Sequence, residues 1–170
     1  MRKSREDEFI EFAGGLTGHL FRSACLLTSG DTYLAEDLVQ ETLGRMYVRW
    51  GRMSHVDNPA AYAQTVLVRT FLTYRRRRSS DERPVADPPD APLIIGGDPL
   101  LRLALLQALG QLPPKDRAVV VLRYWEDRSI DETADAMNIS SSAVRTRASR
   151  ALVRLRAQLG GSLAELVAAT

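Results

Sequence analysis

Residues 129–159, SIDETADAMNISSSAVRTRASRALVRLRAQL, constrain the chain more than any other stretch, because they admit little besides two helices joined by a tight turn. Ser129 followed three residues on by Glu132 is a capping-box start, in which hydroxyl and carboxylate each take an amide that the helix end leaves unpaired. A short first helix is expected to about Met137. Asn138 tolerates a left-handed backbone, and Ser140 is placed to cap a second, longer helix. On that helix Val144, Ala148, Ala151, Leu152, Leu155 and Leu159 recur on one side, the pattern of a helix docked on a core.

The opposite side carries Arg145, Thr146, Ser149 and Arg150. Between Asn138 and Leu159 stand arginines 145, 147, 150, 154 and 156, with no acidic residue to offset them. Arginine forks onto guanine edges or binds phosphate, and Ser or Thr reaches either, so the first half of this helix has the chemistry of a major-groove reader. Arg145 and Arg150 lie farthest from the apolar stripe and are expected to read bases. Arg147 and Arg154 lie toward its flank and are expected to meet phosphates.

The remaining chain is also helical by pattern. Ser4 with Asp7 starts a helix along which Phe9, Ala13, Leu16, Leu20, Ala24 and Leu27 keep helical spacing, while Gly14, Gly15 and Gly18 predict a kink or a close approach. From Thr32 to Trp50, Ala35, Leu38, Val39, Thr42, Met46 and Trp50 form an inner stripe, and Asp37, Gln40, Glu41 and Gly44 a polar one opposite. Periodicity alone reads that second stripe as solvated surface. Asn58-Pro59 opens a helix to about Arg78, with Ala63, Leu67, Thr70, Phe71 and Tyr74 inward and Tyr62, Thr65, Arg69, Thr73 and Arg76 on another side. An aromatic ring and cations on one surface suit a melted nucleic-acid strand. Arg75 to Arg78 equally complement the dipole at a helix end, and the residues alone leave both readings open.

Residues 79–98 carry prolines at 84, 88, 89 and 92 and read as an extended tether with an apolar knot at 93–95. Asp98-Pro99 then opens a helix with Leu101, Ala104, Leu105, Ala108, Leu109 and Leu112 inward, Pro113-Pro114 breaks it, and a further helix from Lys115 to about Trp125 turns Ala118, Val119, Leu122 and Trp125 inward. Tyr124 and Trp125 are expected in the core, and Gly160-Gly161 stops the last helix. The fold class is therefore all-α, as two small helical domains, 1–78 and 99–170, joined by a Pro-rich linker.

Composition limits the function classes. The net charge of +2 from 23 basic and 21 acidic residues hides basic clusters at 75–78 and in the last helix, so local charge points to nucleic acid. One cysteine, Cys25, allows no internal disulfide, and neither signal peptide nor membrane-spanning run is read, so a cytoplasmic protein is expected. His19 and His55 have no Cys or carboxylate spacing suggesting a metal or a nucleophile relay, and no phosphate loop occurs. No catalytic residue, metal or cofactor is expected.

The motifs AEDLVQETLGRMYVRW, DNPAAYAQTVLVRTFLTYRRRR, LPPKDRAVVVLRYWED and SIDETADAMNISSSAVRTRASRALVRLR, in that order, resemble a bacterial RNA polymerase sigma factor of the minimal extracytoplasmic-function class, in its actinobacterial SigE-like group. The resemblance covers nearly the whole chain. It implies that 1–78 is sigma region 2 and 99–170 sigma region 4. Asp37, Gln40 and Glu41 would meet the clamp helices of the polymerase largest subunit, and region 4 the flap. Tyr62, Thr65, Arg69, Thr73 and Arg75, Arg76, Arg77 and Arg78 would engage the melted minus-10 element. Arg69 departs from the amide common at its position. Ser142, Arg145, Thr146, Arg147, Ser149, Arg150 and Arg154 would meet the minus-35 element. Promoter DNA and core polymerase are the implied partners, and an anti-sigma factor a further one. The competing reading is a stand-alone helix-turn-helix regulator whose first domain dimerises; unlike a sigma factor, it would require a polymerase that already has its own sigma.

Overall fold

The computed structural model describes residues 1–78 and 98–160, apart from the side chains of 54 and 55. The expected linker and its apolar knot, and the chain after Gly160, lie outside the described residues.

Helix α1 (Arg5–Leu27) starts on the expected capping box: Ser4 Oγ accepts from the Asp7 amide at 3.1 Å, and the Ser4 amide donates to Asp7 Oδ2 at 3.2 Å. It buries Leu16, Leu20, Ala24 and Leu27. The expected kink at its glycines is absent. The helix runs through unbroken, and a Cβ on Gly14 or Gly15 would meet nothing within 4 Å, so these residues weaken the helix locally without serving a close contact.

Asp31 caps α2 (Thr32–Arg49), which buries Ala35, Leu38, Val39, Thr42 and Met46; Trp50 sits just beyond it, half-buried in a 3₁₀ turn (Trp50–His55). There Phe9 and Phe12 flank the indole, with the Phe12 ring 4.8 Å and the Phe9 ring 5.4 Å from it, and Tyr47 packs edge-on against Phe9 at 5.1 Å. Asn58 Oδ1 accepts from the Ala61 amide to open α3 (Pro59–Arg78), whose buried residues are Ala63, Leu67, Val68, Thr70 and Phe71.

The second half contains α4 (Pro99–Gly110), capped by Asp98, then α5 (Pro114–Val120), which runs into a π-helical turn (Val121–Trp125), then α6 (Ile130–Met137) and α7 (Ser141–Leu159). The π-turn rotates the residues after Val120 relative to a straight α-helix. Val121 is consequently buried and Trp125 half-buried, while Tyr124, expected in the core, is 51% exposed with Arg123 over its ring.

The two halves share one continuous buried cluster, in which Leu20, Leu27 and Phe71 meet Leu106, Leu109 and Leu122. Arg117, only 3% exposed, fastens the junction. Its guanidinium donates to the carbonyls of Leu109 at 2.8 Å, Gly110 at 3.3 Å and Leu112 at 3.1 Å, and to that of Leu27 at 2.6 Å. The carbonyls of Leu109, Gly110 and Leu27 belong to the ends of α4 and α1, where helices leave acceptors unpaired and carry negative partial charge, and that of Leu112 to the turn after α4. Burial lowers the guanidinium to about 10, which still leaves it charged at neutral pH. Among the described residues no helix is long and apolar enough to cross a membrane.

Candidate nucleic-acid interface

The helix-turn-helix forms as its local chemistry dictates. Ser129 accepts from the Glu132 amide and Glu132 accepts from the Ser129 amide, each at 3.0 Å. Asn138 adopts φ 54° and ψ 46°, and Ser140 Oγ accepts from the Ala143 amide at 3.0 Å to start α7. Val144, Ala148, Ala151, Leu155 and Leu159 are buried, which turns Arg145, Thr146 and Ser149 outward. With Arg150 and Val153 these three line a shallow open depression. Arg145 has no hydrogen-bond or ion-pair partner among the described residues. Ser142 and Arg154 are exposed as well.

Arg147, on the flank, and Arg150, on the outward face, both pair with a carboxylate of the protein. Asp116, on the first turn of α5, is fully buried. Its Oδ1 accepts from Arg147 Nη1 at 2.7 Å and from Arg150 Nη2 at 3.0 Å, and its Oδ2 from Arg150 Nε at 3.1 Å. Burial pushes the Asp116 carboxyl up, but the hydrogen bonds and charges of Arg150 and Arg147 outweigh it and hold the group below its usual range. Arg147 is thus turned toward the protein and is half-buried, whereas Arg150 reaches the depression while fastened on one edge.

The α3 residues expected on one free surface are divided by the second half of the chain. Asp127 takes φ 53°, and the following Arg128 points back at α3. There it donates from Nη1 to Thr65 Oγ1 at 2.7 Å and from Nη2 to the Ala61 carbonyl. Arg69 donates from Nε to the Ala136 carbonyl at 2.9 Å and from Nη2 to that of Asp135 at 3.2 Å, the latter shared with the Asn138 amide, and so caps the last turn of α6. Beside them His19 stacks on Trp125, Glu126 bonds His19 Nε2 at 2.8 Å, and the Trp125 indole donates to Ser23 Oγ at 3.1 Å. Tyr62 is half-buried, its hydroxyl accepting from Arg49 at 3.0 Å. Thr73 accepts from Arg76 at 3.4 Å, and Arg75, Arg76, Arg77 and Arg78 stand exposed at the helix end, Arg78 over the Tyr74 ring.

Asp37, Gln40 and Glu41 are all exposed on α2, and Glu41 pairs with Arg45 at 2.8 Å. Two apolar residues that the sequence reading passed over belong to the same stripe. Tyr33, 78% exposed, precedes it by one helical turn, and Val48, 83% exposed, follows Gly44 by another. Their helical spacing from Asp37 and Gly44 was the available signal.

The sigma-70 region 2 family matches residues 16–80, and the sigma-70 region 4 family matches residues 102–155. The RNA polymerase sigma-E factor of Streptomyces coelicolor is 37% identical over 153 residues, covering 89% of this chain and 86% of its own.

The chain is an extracytoplasmic-function member of the sigma-70 family.

The sigma factor CarQ of Myxococcus xanthus is 33% identical and covers 91% of this sigma factor and 88% of its own length. In solved structures, the sigma factor RpoE of Bartonella quintana, in complex with the anti-sigma factor NepR, shares the fold with a TM-score of 0.76 at 24% identity, covering 91% of this chain and 98% of that one. CnrH, in complex with the cytosolic domain of CnrY, shares it with a TM-score of 0.62 at 21% identity, covering 89% of this sigma factor and 87% of that chain. The all-α fold and the resemblance drawn from the motifs are borne out by these matches. The sigma factor binds core RNA polymerase and promoter DNA and directs transcription initiation.

Proposed function

We propose that this sigma factor acts in the cytoplasm by binding alone, with Asp37, Gln40 and Glu41 on core polymerase, the α3 basic face on the melted minus-10 strand, and the outward face of α7 on the minus-35 element. The observation that carries this division is the depression lined by Arg145, Thr146, Ser149 and Arg150, a one-signed polar face backed by a fully apolar one. Domains 1–78 and 99–170 take these tasks separately. Bond making belongs to the polymerase, since nothing is asked of the chain but recognition and strand capture. An anti-sigma factor is a further partner by analogy with RpoE, whose structural match is to its complex with NepR.

The deciding experiment is runoff transcription with purified core enzyme and no other sigma. Initiation from a defined promoter set supports the reading, and transcription only with polymerase that already carries a sigma would establish the regulator reading.

The α2 stripe is tested by Gln40→Ala with Glu41→Lys. Exposed, partly charged rims govern orientation and off-rate, so co-purification with core should fall about tenfold while helical content stays unchanged. Undiminished co-purification would remove this face from the interface. For α3, Tyr62→Ala is expected to impair strand opening more than initial binding, because base stacking is worth about 1–3 kcal/mol per base. Permanganate reactivity of promoter thymines reads this out; equal reactivity in both proteins would make Tyr62 a packing residue.

A further inference from the structure

We propose that Asp116 is a positioning residue for promoter specificity: it fixes Arg150 at the edge of the reading face and withdraws Arg147 from the DNA backbone. The proposal rests on α7 reading the minus-35 element, and it adds a residue on a different helix that touches no DNA.

Three observations support it. The first is completeness: one fully buried carboxylate accepts three N–H bonds, two from the Nε–Nη2 edge of Arg150 and one from Arg147. Bidentate pairing of this kind sets the plane of a guanidinium as well as its position. The second is what remains. With Nε and Nη2 engaged, Nη1 is the part of the Arg150 guanidinium that Asp116 does not hold, and Arg150 lines the depression with Arg145, Thr146 and Ser149. A long side chain held in place surrenders less rotamer freedom on meeting a base than a free one, and a fixed geometry discriminates where a mobile one accommodates. The third is charge. Asp116 neutralises one of the two cations it holds, so the pair contributes less to sequence-independent phosphate attraction than two free arginines would.

These features predict a signature that loss of structure does not produce. In holoenzyme assembled from the full chain and core polymerase, Asp116→Asn is expected to narrow the spread in affinity across a set of minus-35 variants about tenfold. The unfavoured sequences should bind as well as before or better, and the salt dependence should steepen by about one unit as a cation is returned to the backbone. In an Arg147→Ala, Arg150→Ala background the same substitution should change neither quantity, since Asp116 acts only through those arginines.

Arg145→Ala is the control on the helix itself. A normal spread and slope for Asp116→Asn, with Arg145→Ala narrowing the spread, overturns the positioning role and leaves the reading helix standing. A spread unaffected by Arg145→Ala overturns the reading helix and the proposal with it. Affinity falling equally for every sequence, in step with a lowered melting temperature, assigns Asp116 to stability and also overturns the proposal. If Asp116→Asn does not fold, Arg147→Ala alone decides: an unchanged salt slope supports withdrawal of Arg147 from phosphate, and a slope lower by about one unit overturns it.

Discussion

Holoenzyme carrying Arg145→Ala is expected to lose about 1–3 kcal/mol of discrimination, roughly five- to 150-fold, at one position of the minus-35 element. Arg145 stands exposed on the face opposite Val144 and Leu155 with no partner among the described residues, so its five donors are available to a base edge. A cation that merely neutralised phosphate would give a different result, a uniform loss over all sequences with a lower salt slope. Competition binding over single-base variants of the element at several salt concentrations separates the two. An unchanged rank order would mean that another residue reads that position.

Arg117→Leu is expected to cost the most stability, about 3–5 kcal/mol, because a substitution of similar volume leaves the carbonyls of Leu27, Gly110 and Leu112 without their donor inside the protein, while that of Leu109 keeps only the Leu112 amide. Each carbonyl left unpaired in a dry site forfeits water as well as its bond, and those of Leu27 and Gly110 lie at the negative ends of α1 and α4. The ring of Phe71, 5.7 Å from the guanidinium, loses its cation as well. Arg117→Lys should recover only part of the loss, since an ammonium cannot span the carbonyls of Leu27 and Leu109 together. Denaturant unfolding of the full chain measures both; a midpoint close to that of the parent protein would show that water replaces the guanidinium without penalty.

Features set by neighbouring residues were legible in the sequence. The capping boxes at Ser4 and Ser129, the left-handed Asn138 and the apolar stripes of α2, α3 and α7 follow from spacings of three to four residues, which the helix geometry itself enforces. The misleading cases have physical reasons. Gly14 and Gly15 imply a close neighbour only if something stands opposite, and nothing does. Tyr124 is an aromatic that lies off the inward stripe of Ala118, Val119, Leu122 and Trp125, so residue type alone put it in the core, and the structure leaves it exposed. Least visible were long-range polar contacts. Asp116 precedes Arg147 by 31 residues and Arg150 by 34, and Arg128 reaches back to Thr65 across 63, so no periodicity marks these partners. The angular reading thus found the face of α7 but treated every arginine on it as free.

The contacts of Arg128 and Arg69 across the two halves set up a competition. Thr65 and Arg69 cannot hold the second half of the chain and a melted DNA strand at the same time, so a strand that uses them is bound only by molecules whose halves have parted. The observed dissociation constant is then the intrinsic one divided by the fraction parted; a fraction of about one in a hundred weakens binding about a hundredfold. Whatever binds the parted form preferentially raises the affinity for DNA by the same factor by which it raises that fraction. With the minus-10 strand on α3 as proposed, the response of this sigma factor to its partners would be set partly by the strength of a few hydrogen bonds from Arg128 and Arg69, made by the same α3 residues that the strand would use.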